Sequence, residues 1–207
     1  MEENKFTEEN EVVIEEFKEE KNTKGGWKKE LFEWLQAIVI AVVVSFILKN
    51  YFLTLVKVQG ESMEPTLQHA DRIYVNRFMY KPEKGDIIIF QPASDPNKPY
   101  VKRVIATEGD TVYIDFQSGK VYVNDKLLDE DYILEPTHRY GSYIMRLIEQ
   151  GNYSKENPIV IEEGKIFAMG DNRNNSKDSR EIGQVPVEEI MGHAIFRFWP
   201  VNNLETF

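Results

Sequence analysis

A serine in a tight, turn-forming stretch is the first residue whose type and setting could do chemistry. Residues 60–66 read GESMEPT, with Ser62 near the middle, and they follow a short alternating apolar stretch. Gly60 leaves space beside the serine, and Pro65 fixes the backbone as the chain turns away. A rigid, exposed serine of this kind could be a nucleophile, although an ordinary turn serine would give the same local pattern.

A nucleophilic serine needs a group that takes its proton, and a lysine is the best candidate. The chain has no Gly-x-Ser-x-Gly elbow and no Ser-x-x-Lys motif, and no histidine lies in a Ser-His-Asp-like context. Lys102 lies in the apolar, β-branched run YVKRVIA at 100–106, which predicts a strand. Burial there would lower the lysine pKa from about 10.4 and allow the neutral amine to act as a base. An exposed charge on an edge strand is the alternative.

Four segments together resemble the conserved boxes of bacterial type I signal peptidases. They are SMEPT at 62–66, GDIIIF at 85–90, KRVIATEGD at 102–110 and GDNRNNSKDSR at 170–180, and they occur in the family order. The resemblance covers most of the chain from about residue 31 to the end. It implies a membrane-bound serine endopeptidase that removes N-terminal signal peptides from exported preproteins by a Ser-Lys dyad mechanism.

The resemblance also implies roles for single residues. Ser62 matches the nucleophile, Lys102 its general base, and Ser176 a serine that hydrogen-bonds and orients the lysine amine. The backbone N–H of Ser62 is the expected oxyanion donor. Some family members carry a serine two residues before the nucleophile as a second donor. Gly60 occupies that position here, so the second donor stays open.

Charged residues around the pair are expected to support it. Asp178 and Arg180 match a structural pair of the family, and Asp171 matches a further supporting carboxylate. Arg103 is expected to pair with one of these carboxylates. Plain loop capping would explain the same Asp and Ser residues, and it is our interpretation of Asn172, Asn174 and Asn175.

The substrate is expected to bind as an added strand against residues near 57–60 and 100–102. By resemblance, shallow apolar pockets for small side chains are lined by Val58, Met63, Leu67, Tyr100 and Val101. Alternatively, these residues belong to the hydrophobic core. For Leu67 the sequence favours the pocket and the core about equally.

Composition excludes several classes of function. The chain has 207 residues and a net charge of −10, which does not favour nucleic acid as a partner. It has no cysteine, so disulfides and thiol chemistry are excluded. Its three histidines lack metal-ligand spacing and no phosphate-binding Gly loop is present, so we expect no metal and no cofactor.

The N-terminal part predicts a membrane anchor. Residues 1–26 are predicted to be a disordered, acidic cytoplasmic tail, with nine Glu against two Lys in residues 1–20. Residues 27–52 are predicted to form a transmembrane signal-anchor helix, because Lys29 and Lys49 bracket about 30 Å of helix, the thickness of the hydrocarbon core. The lysines before this span place the N-terminus in the cytoplasm and the lipid bilayer among the partners. A removable signal peptide is the alternative, but no Ala-x-Ala-like site follows the apolar core closely.

The rest of the chain predicts an extracytoplasmic, mainly β domain over 53–207. Short runs rich in Val, Ile, Tyr and Phe predict strands at 55–59, 72–76, 86–91, 100–106, 111–116, 120–124, 158–161, 165–169 and 193–199. A variable insertion is expected at about 129–157, with one short helix marked by Ile144, Leu147 and Ile148. The resemblance implies the β-sheet-rich fold of signal peptidases, which is related to that of self-cleaving repressors.

Two other functions remain open at this point. A self-cleaving repressor-type protease would use a Ser-Lys pair on a related fold, but residues 1–54 show neither a helix-turn-helix pattern nor a basic face. A membrane-anchored β-domain that only binds a ligand or wall polymer would be unaffected by loss of Ser62.

Overall fold

The computed structural model describes residues 27–46 and 53–207, which belong to two compact units, 1–49 and 50–207. In the first unit residues 27–46 form a helix, α1. Among the described residues no helix is both long and apolar enough to cross a membrane. The predicted acidic tail and residues 47–52, the last part of the predicted anchor, lie outside the described residues.

The second unit consists mainly of short strands. In chain order its elements are β1 (Leu53–Lys57), β2 (Arg72–Asn76), β3 (Ile87–Phe90), β4 (Tyr100–Thr107), β5 (Thr111–Asp115), β6 (Lys120–Val123), β7 (Lys126–Leu127), α2 (Ser142–Glu149), β8 (Ile159–Val160), β9 (Lys165–Met169), α3 (Ser179–Ile182), β10 (Val185–Pro186), β11 (Ile190–Trp199) and β12 (Glu205–Thr206). Single 3₁₀ turns lie at Arg173–Asn175 and Val187–Glu189.

Two antiparallel sheets organise these strands. The larger has eight strands in the order β1-β2-β11-β3-β4-β9-β10, with β12 added on β11. The smaller has the order β7-β6-β5-β8. Asn124 and Asp125 join β6 to β7 with positive φ at both positions, the backbone that a two-residue hairpin turn requires.

Burial explains the order of the larger sheet. All four residues of Ile87–Phe90 are buried, which suits a central strand covered on both faces, and β3 does lie between β11 and β4. Fully burying a side chain such as Ile88 stabilises the fold by about 1.5–3 kcal/mol. One core cluster extends under the turn after β1, where Met63 and Leu67 pack with Ile87. The core therefore supports both the turn that carries Ser62 and the strand that carries Lys102.

The predicted strands and the short helix within 129–157 are present, the latter as α2. The two-residue strands β7, β10 and β12 and the four-residue helix α3 were not predicted, because such short segments cannot show a hydrophobic period. Helix α3 is instead started by a side chain, since the carboxylate of Asp178 accepts a hydrogen bond from the backbone of Arg180.

Candidate active site

The structure brings Ser62 and Lys102 into contact across 40 residues of sequence. Lys102 Nζ donates a hydrogen bond of 2.7 Å to Ser62 Oγ and another of 2.7 Å to the carbonyl of Val101. Antiparallel pairing of β4 with β3 sets Lys102 opposite Ile88 in the middle of the larger sheet. A lysine amine and a serine hydroxyl at this distance can exchange a proton.

The environment of Lys102 favours its neutral form. The residue is only 3% exposed. Burial lowers the pKa of Lys102 from 10.5 to about 8, with a smaller contribution in the same direction from Lys98, while the carboxylates of Asp178 and Asp171 partly oppose it. At pH 7 about a tenth of the amine is therefore neutral, and this fraction can act as a general base.

The turn that carries Ser62 is held from the loop at 170–180. The Ser62 carbonyl accepts a hydrogen bond of 3.1 Å from the backbone N–H of Asn172, and Asn172 Nδ2 donates to the carbonyl of Glu61 at 3.1 Å. A Cβ at Gly170 would lie 2.3 Å from the Ser62 carbonyl oxygen, so only glycine permits this approach. Our interpretation of Asn172 as a simple turn former missed these contacts, for which the sequence alone offers no signal.

Arg103, Asp171 and Thr66 connect the segments that carry Ser62 and Lys102. Arg103 donates Nε to Asp171 Oδ1 at 2.9 Å and Nη2 to Asp171 Oδ2 at 2.7 Å, a bidentate ion pair. The hydroxyl of Thr66 donates to the same Oδ2 at 2.6 Å. The fully buried carboxylate of Asp171 thus ties the strand next to Lys102 to the turn that follows Ser62.

Asp178 and Arg180 form a second, more deeply buried pair. Arg180 donates Nε to Asp178 Oδ1 at 2.8 Å and Nη2 to Oδ2 at 2.7 Å, and the Gly170 N–H adds a bond of 3.0 Å. Burial alone would raise the pKa of Asp178, but the charge and hydrogen bonds of Arg180, the nearby Ser176 hydroxyl and the Gly170 N–H hold it below its usual range. The carboxylate therefore stays ionised inside the fold and organises the loop at 170–180.

Ser176 differs from the expectation that it bonds to the lysine amine. Lys102 Nζ bonds to Ser62 Oγ and the Val101 carbonyl, and within the described residues the buried Ser176 hydroxyl makes no well-aligned hydrogen bond. It lies close enough to Asp178 to help lower the pKa of that carboxylate. The expected bond between Ser176 and Lys102 is therefore not formed among the described residues. The Ser176 hydroxyl lies beside Gly170 instead, where an added Cβ would meet it at 2.3 Å.

The segment before α2 also holds the loop at 170–180, a contact that the sequence did not predict. The exposed Arg139 donates Nη1 to the Ser176 carbonyl at 2.7 Å. Its own carbonyl accepts from Arg180 Nη1 at 3.1 Å. Fully buried Arg173 bonds to Glu130 and to the hydroxyl of Thr137. Residues 130–139 are thus part of the support for the site.

His69 is another residue that sequence reasoning missed. The N–H of Gly60, at φ +90°, donates to His69 Nδ1 at 3.2 Å. The backbone donor at the position of the family's second oxyanion serine is therefore already engaged. Among residues 27–46 and 53–207 no group of three or more His, Asp or Glu side chains could hold a metal ion.

A cavity of about 230 Å³ opens beside Ser62. Four of the predicted pocket residues line it, namely Val58, Met63, Tyr100 and Val101. Leu67 does not, because its side chain is fully buried in the core cluster under the turn. The cavity is also lined by Gln59, Gly60, Glu61, Lys98, Pro99, Asn175 and Lys177.

Comparisons with known proteins identify the family of this chain. Residues 31–199 match the family model described as signal peptidase, peptidase S26. Signal peptidase IB of Staphylococcus aureus is 39% identical over 184 residues, which cover 86% of this chain and 94% of that protein. The chloroplastic thylakoidal processing peptidase 1 of Arabidopsis thaliana is 34% identical over 200 residues, covering 88% of this chain and 54% of that protein.

Among solved structures, a signal peptidase I from Enterococcus faecalis V583 matches with a TM-score of 0.40 and 29% identity, covering 55% of this chain and 97% of that one. The family match and the sequence relatives carry the assignment. The predicted mainly β fold and the predicted signal peptidase I serine endopeptidase are confirmed, because the chain belongs to the signal peptidase family, peptidase S26.

Proposed function

We propose that this enzyme cleaves signal peptides from exported preproteins with Ser62 as nucleophile and Lys102 as general base. The contact of 2.7 Å between Lys102 Nζ and Ser62 Oγ carries this assignment. Its support is the burial of Lys102, which lowers the pKa of the amine to about 8 and provides a neutral proton acceptor.

The reaction follows from this pair. Neutral Lys102 takes the proton of Ser62 while Oγ attacks the carbonyl before the scissile bond, and the Ser62 backbone N–H stabilises the oxyanion. The lysine then delivers the proton to the leaving amine, which frees the mature protein and leaves an acyl-enzyme on Ser62. Lys102 next activates a water molecule that hydrolyses the ester and releases the signal peptide.

The surrounding residues act by positioning this pair. Asp171 with Arg103, and Asp178 with Arg180, fix the strand and the loop that flank Lys102. We assign Ser176 a supporting role through the buried Asp178 carboxylate, whose pKa it helps to lower.

The substrate binds as an extended strand beside the cavity. Side chains at i and i+2 of a strand point the same way. The residue before the scissile bond and the one two positions upstream therefore both face the apolar wall of the cavity. Val58, Met63 and Val101 line that wall, and we expect it to accept small side chains only. In a preprotein series, Ala before the scissile bond should be cut at least about 100-fold faster than Phe, because a displacement near 1 Å costs that much in rate.

Residues 27–52 anchor the enzyme in the membrane, with residues 1–26 in the cytoplasm and 53–207 outside. The lysines that precede the apolar stretch support this orientation. Protease added to intact spheroplasts should digest the catalytic domain and spare an N-terminal tag. Digestion of the tag with protection of the domain would reverse the topology.

The catalytic assignment is tested by incubating a labelled preprotein with the full-length enzyme and its variants. Ser62→Ala and Lys102→Met should each abolish cleavage, and their losses should not add, because the two residues act as one unit. Ser118→Ala, which removes a hydroxyl from an exposed turn, is the matched control and should cleave normally. Cleavage by Ser62→Ala at the wild-type rate would overturn the assignment of Ser62 as nucleophile, and no cleavage by the wild type would favour the ligand-binding alternative.

A further inference from the structure

Two lysines besides Lys102 line the cavity next to Ser62. Lys98 comes from the segment before β4, and Lys177 comes from the loop at 170–180. Both are exposed, and neither forms an ion pair with another described residue. The arginines nearby behave differently, since Arg103 and Arg180 each have a carboxylate partner. The cavity therefore has two cations whose charges are free to act on a bound chain.

The charge at the cavity is positive on an acidic protein. Besides the lysines, the only charged residue that lines it within the described part of the chain is Glu61, whose carboxylate accepts a hydrogen bond of 3.4 Å from Asn175. With Lys102 neutral, two positive charges face one negative charge there, whereas the whole chain carries −10. Lys98 is near enough to lower the pKa of Lys102, so its charge reaches the catalytic centre.

We propose that Lys98 and Lys177 make the enzyme select substrates with an acidic side chain beside the scissile bond. This inference rests on the proposed function, because it concerns how a peptide is chosen at the Ser62 site. Substrate side chains that face the apolar wall of the cavity must be small. The acidic side chain therefore belongs to a substrate position that points away from this wall. Such positions are the one between the two pocketed residues and the first one after the bond.

The selection is electrostatic and modest in size. Each exposed charge pair contributes little. At low salt we therefore expect kcat/KM to be about fivefold higher for the Glu substrate than for the Gln substrate, and about fivefold higher for Gln than for Lys. Salt should weaken this preference, since the screening length falls to about 3 Å at 1 M ionic strength.

The test is a matched set of preprotein substrates with Glu, Gln or Lys at each of the two positions. They are cut by the full-length enzyme, by Lys98→Gln, by Lys177→Gln, by the double variant and by Lys126→Gln, a control at an exposed position of β7. The wild type and the control should rank the substrates Glu, Gln, Lys at one or both positions. The double variant should cut all three at equal rates, and Lys98→Glu with Lys177→Glu should invert the order.

The outcomes separate this inference from the proposed function. Failure of the wild type to cut any substrate in a Ser62-dependent way would overturn the proposed function. Ser62-dependent cutting without a charge ranking would overturn the inference alone. A uniform change for all three substrates in the lysine variants, with a shifted acid limb of the pH–rate profile, would also overturn it, because the lysines would then act on Lys102 and not on the substrate.

Discussion

Replacing Lys102 with methionine should abolish cleavage and at the same time remove a pH-dependent cost to stability. In the folded protein burial lowers the pKa of Lys102 from 10.5 to about 8, whereas the unfolded chain recovers the ordinary value. The unfolded state therefore binds the proton more tightly, and this difference lowers the free energy of unfolding by about 3 kcal/mol at pH 7. Methionine has a similar length and no proton to bind, so the variant does not carry this cost.

The sign of the pH dependence follows from the same two pKa values. Below pH 8 the cost is fully present, and it fades as the pH rises towards 10.5, where the unfolded chain also loses the proton. It falls to about 1 kcal/mol at pH 10, so the stability of the variant relative to the wild type should drop by about 2 kcal/mol between pH 7 and pH 10. The variant also loses the bonds of Lys102 to Ser62 and Val101, about 1 kcal/mol each, but that loss does not depend on pH.

Urea unfolding of the full-length proteins at pH 7, 8, 9 and 10 measures this difference. The buried hydroxyls of Tyr80 and Tyr153 have raised pKa values, but they occur in both proteins and cancel in the comparison. Lys126→Met, at an exposed position of β7, controls for the loss of a lysine as such. If the free energies of unfolding of Lys102→Met and the wild type differ by the same amount at pH 7 and pH 10, the burial argument is refuted.

Three further predictions concern activity. The kcat/KM of the wild type should fall as the pH drops through about 8, where Lys102 becomes protonated, and an acid limb near 10.5 would contradict this. Gly170→Ala should lower kcat by about 100-fold or more, because its Cβ would meet the Ser62 carbonyl at 2.3 Å and displace the nucleophile; wild-type kcat in a folded variant would show that the turn tolerates the shift. Thr66→Val, which removes the hydroxyl bonded to Asp171 and keeps the shape, should lower kcat by about tenfold with little change in KM, and a change confined to KM would indicate a role in binding instead.

The strands were predictable because their sequences carry a local pattern. In β5, for example, buried and half-buried residues alternate, which is the period of a strand with one covered face. The contact of Ser62 with Lys102 has no such local signal. It was expected only because several segments resembled one family in order, and the structure supplies the physical cause, the pairing of β4 with β3 beside the turn after β1.

The remaining contacts could not be predicted because they join single residues from distant segments. Asn172 Nδ2 reaches the Glu61 carbonyl across 111 residues, and no property of either residue indicates the other. The position of Leu67 could not be predicted either, although it depends on residues close in sequence. Core and pocket positions both favour a leucine, and the choice depends on the backbone of the turn, where the Leu67 N–H bonds to the Met63 carbonyl at 2.9 Å and the side chain enters the core.

The two arginine–carboxylate pairs explain how the pKa of Lys102 can stay low beside two aspartate side chains. The charges of Asp178 and Asp171 raise the pKa of Lys102, so unpaired carboxylates at these positions would favour the ammonium form. Arg180 and Arg103 balance those charges through two bonds each, and Arg180 also lowers the lysine pKa directly. Burial then dominates, and the pKa of Lys102 settles at about 8. The loop at 170–180 can therefore hold the turn at Ser62 with buried carboxylates while the pKa of Lys102 stays below its ordinary value.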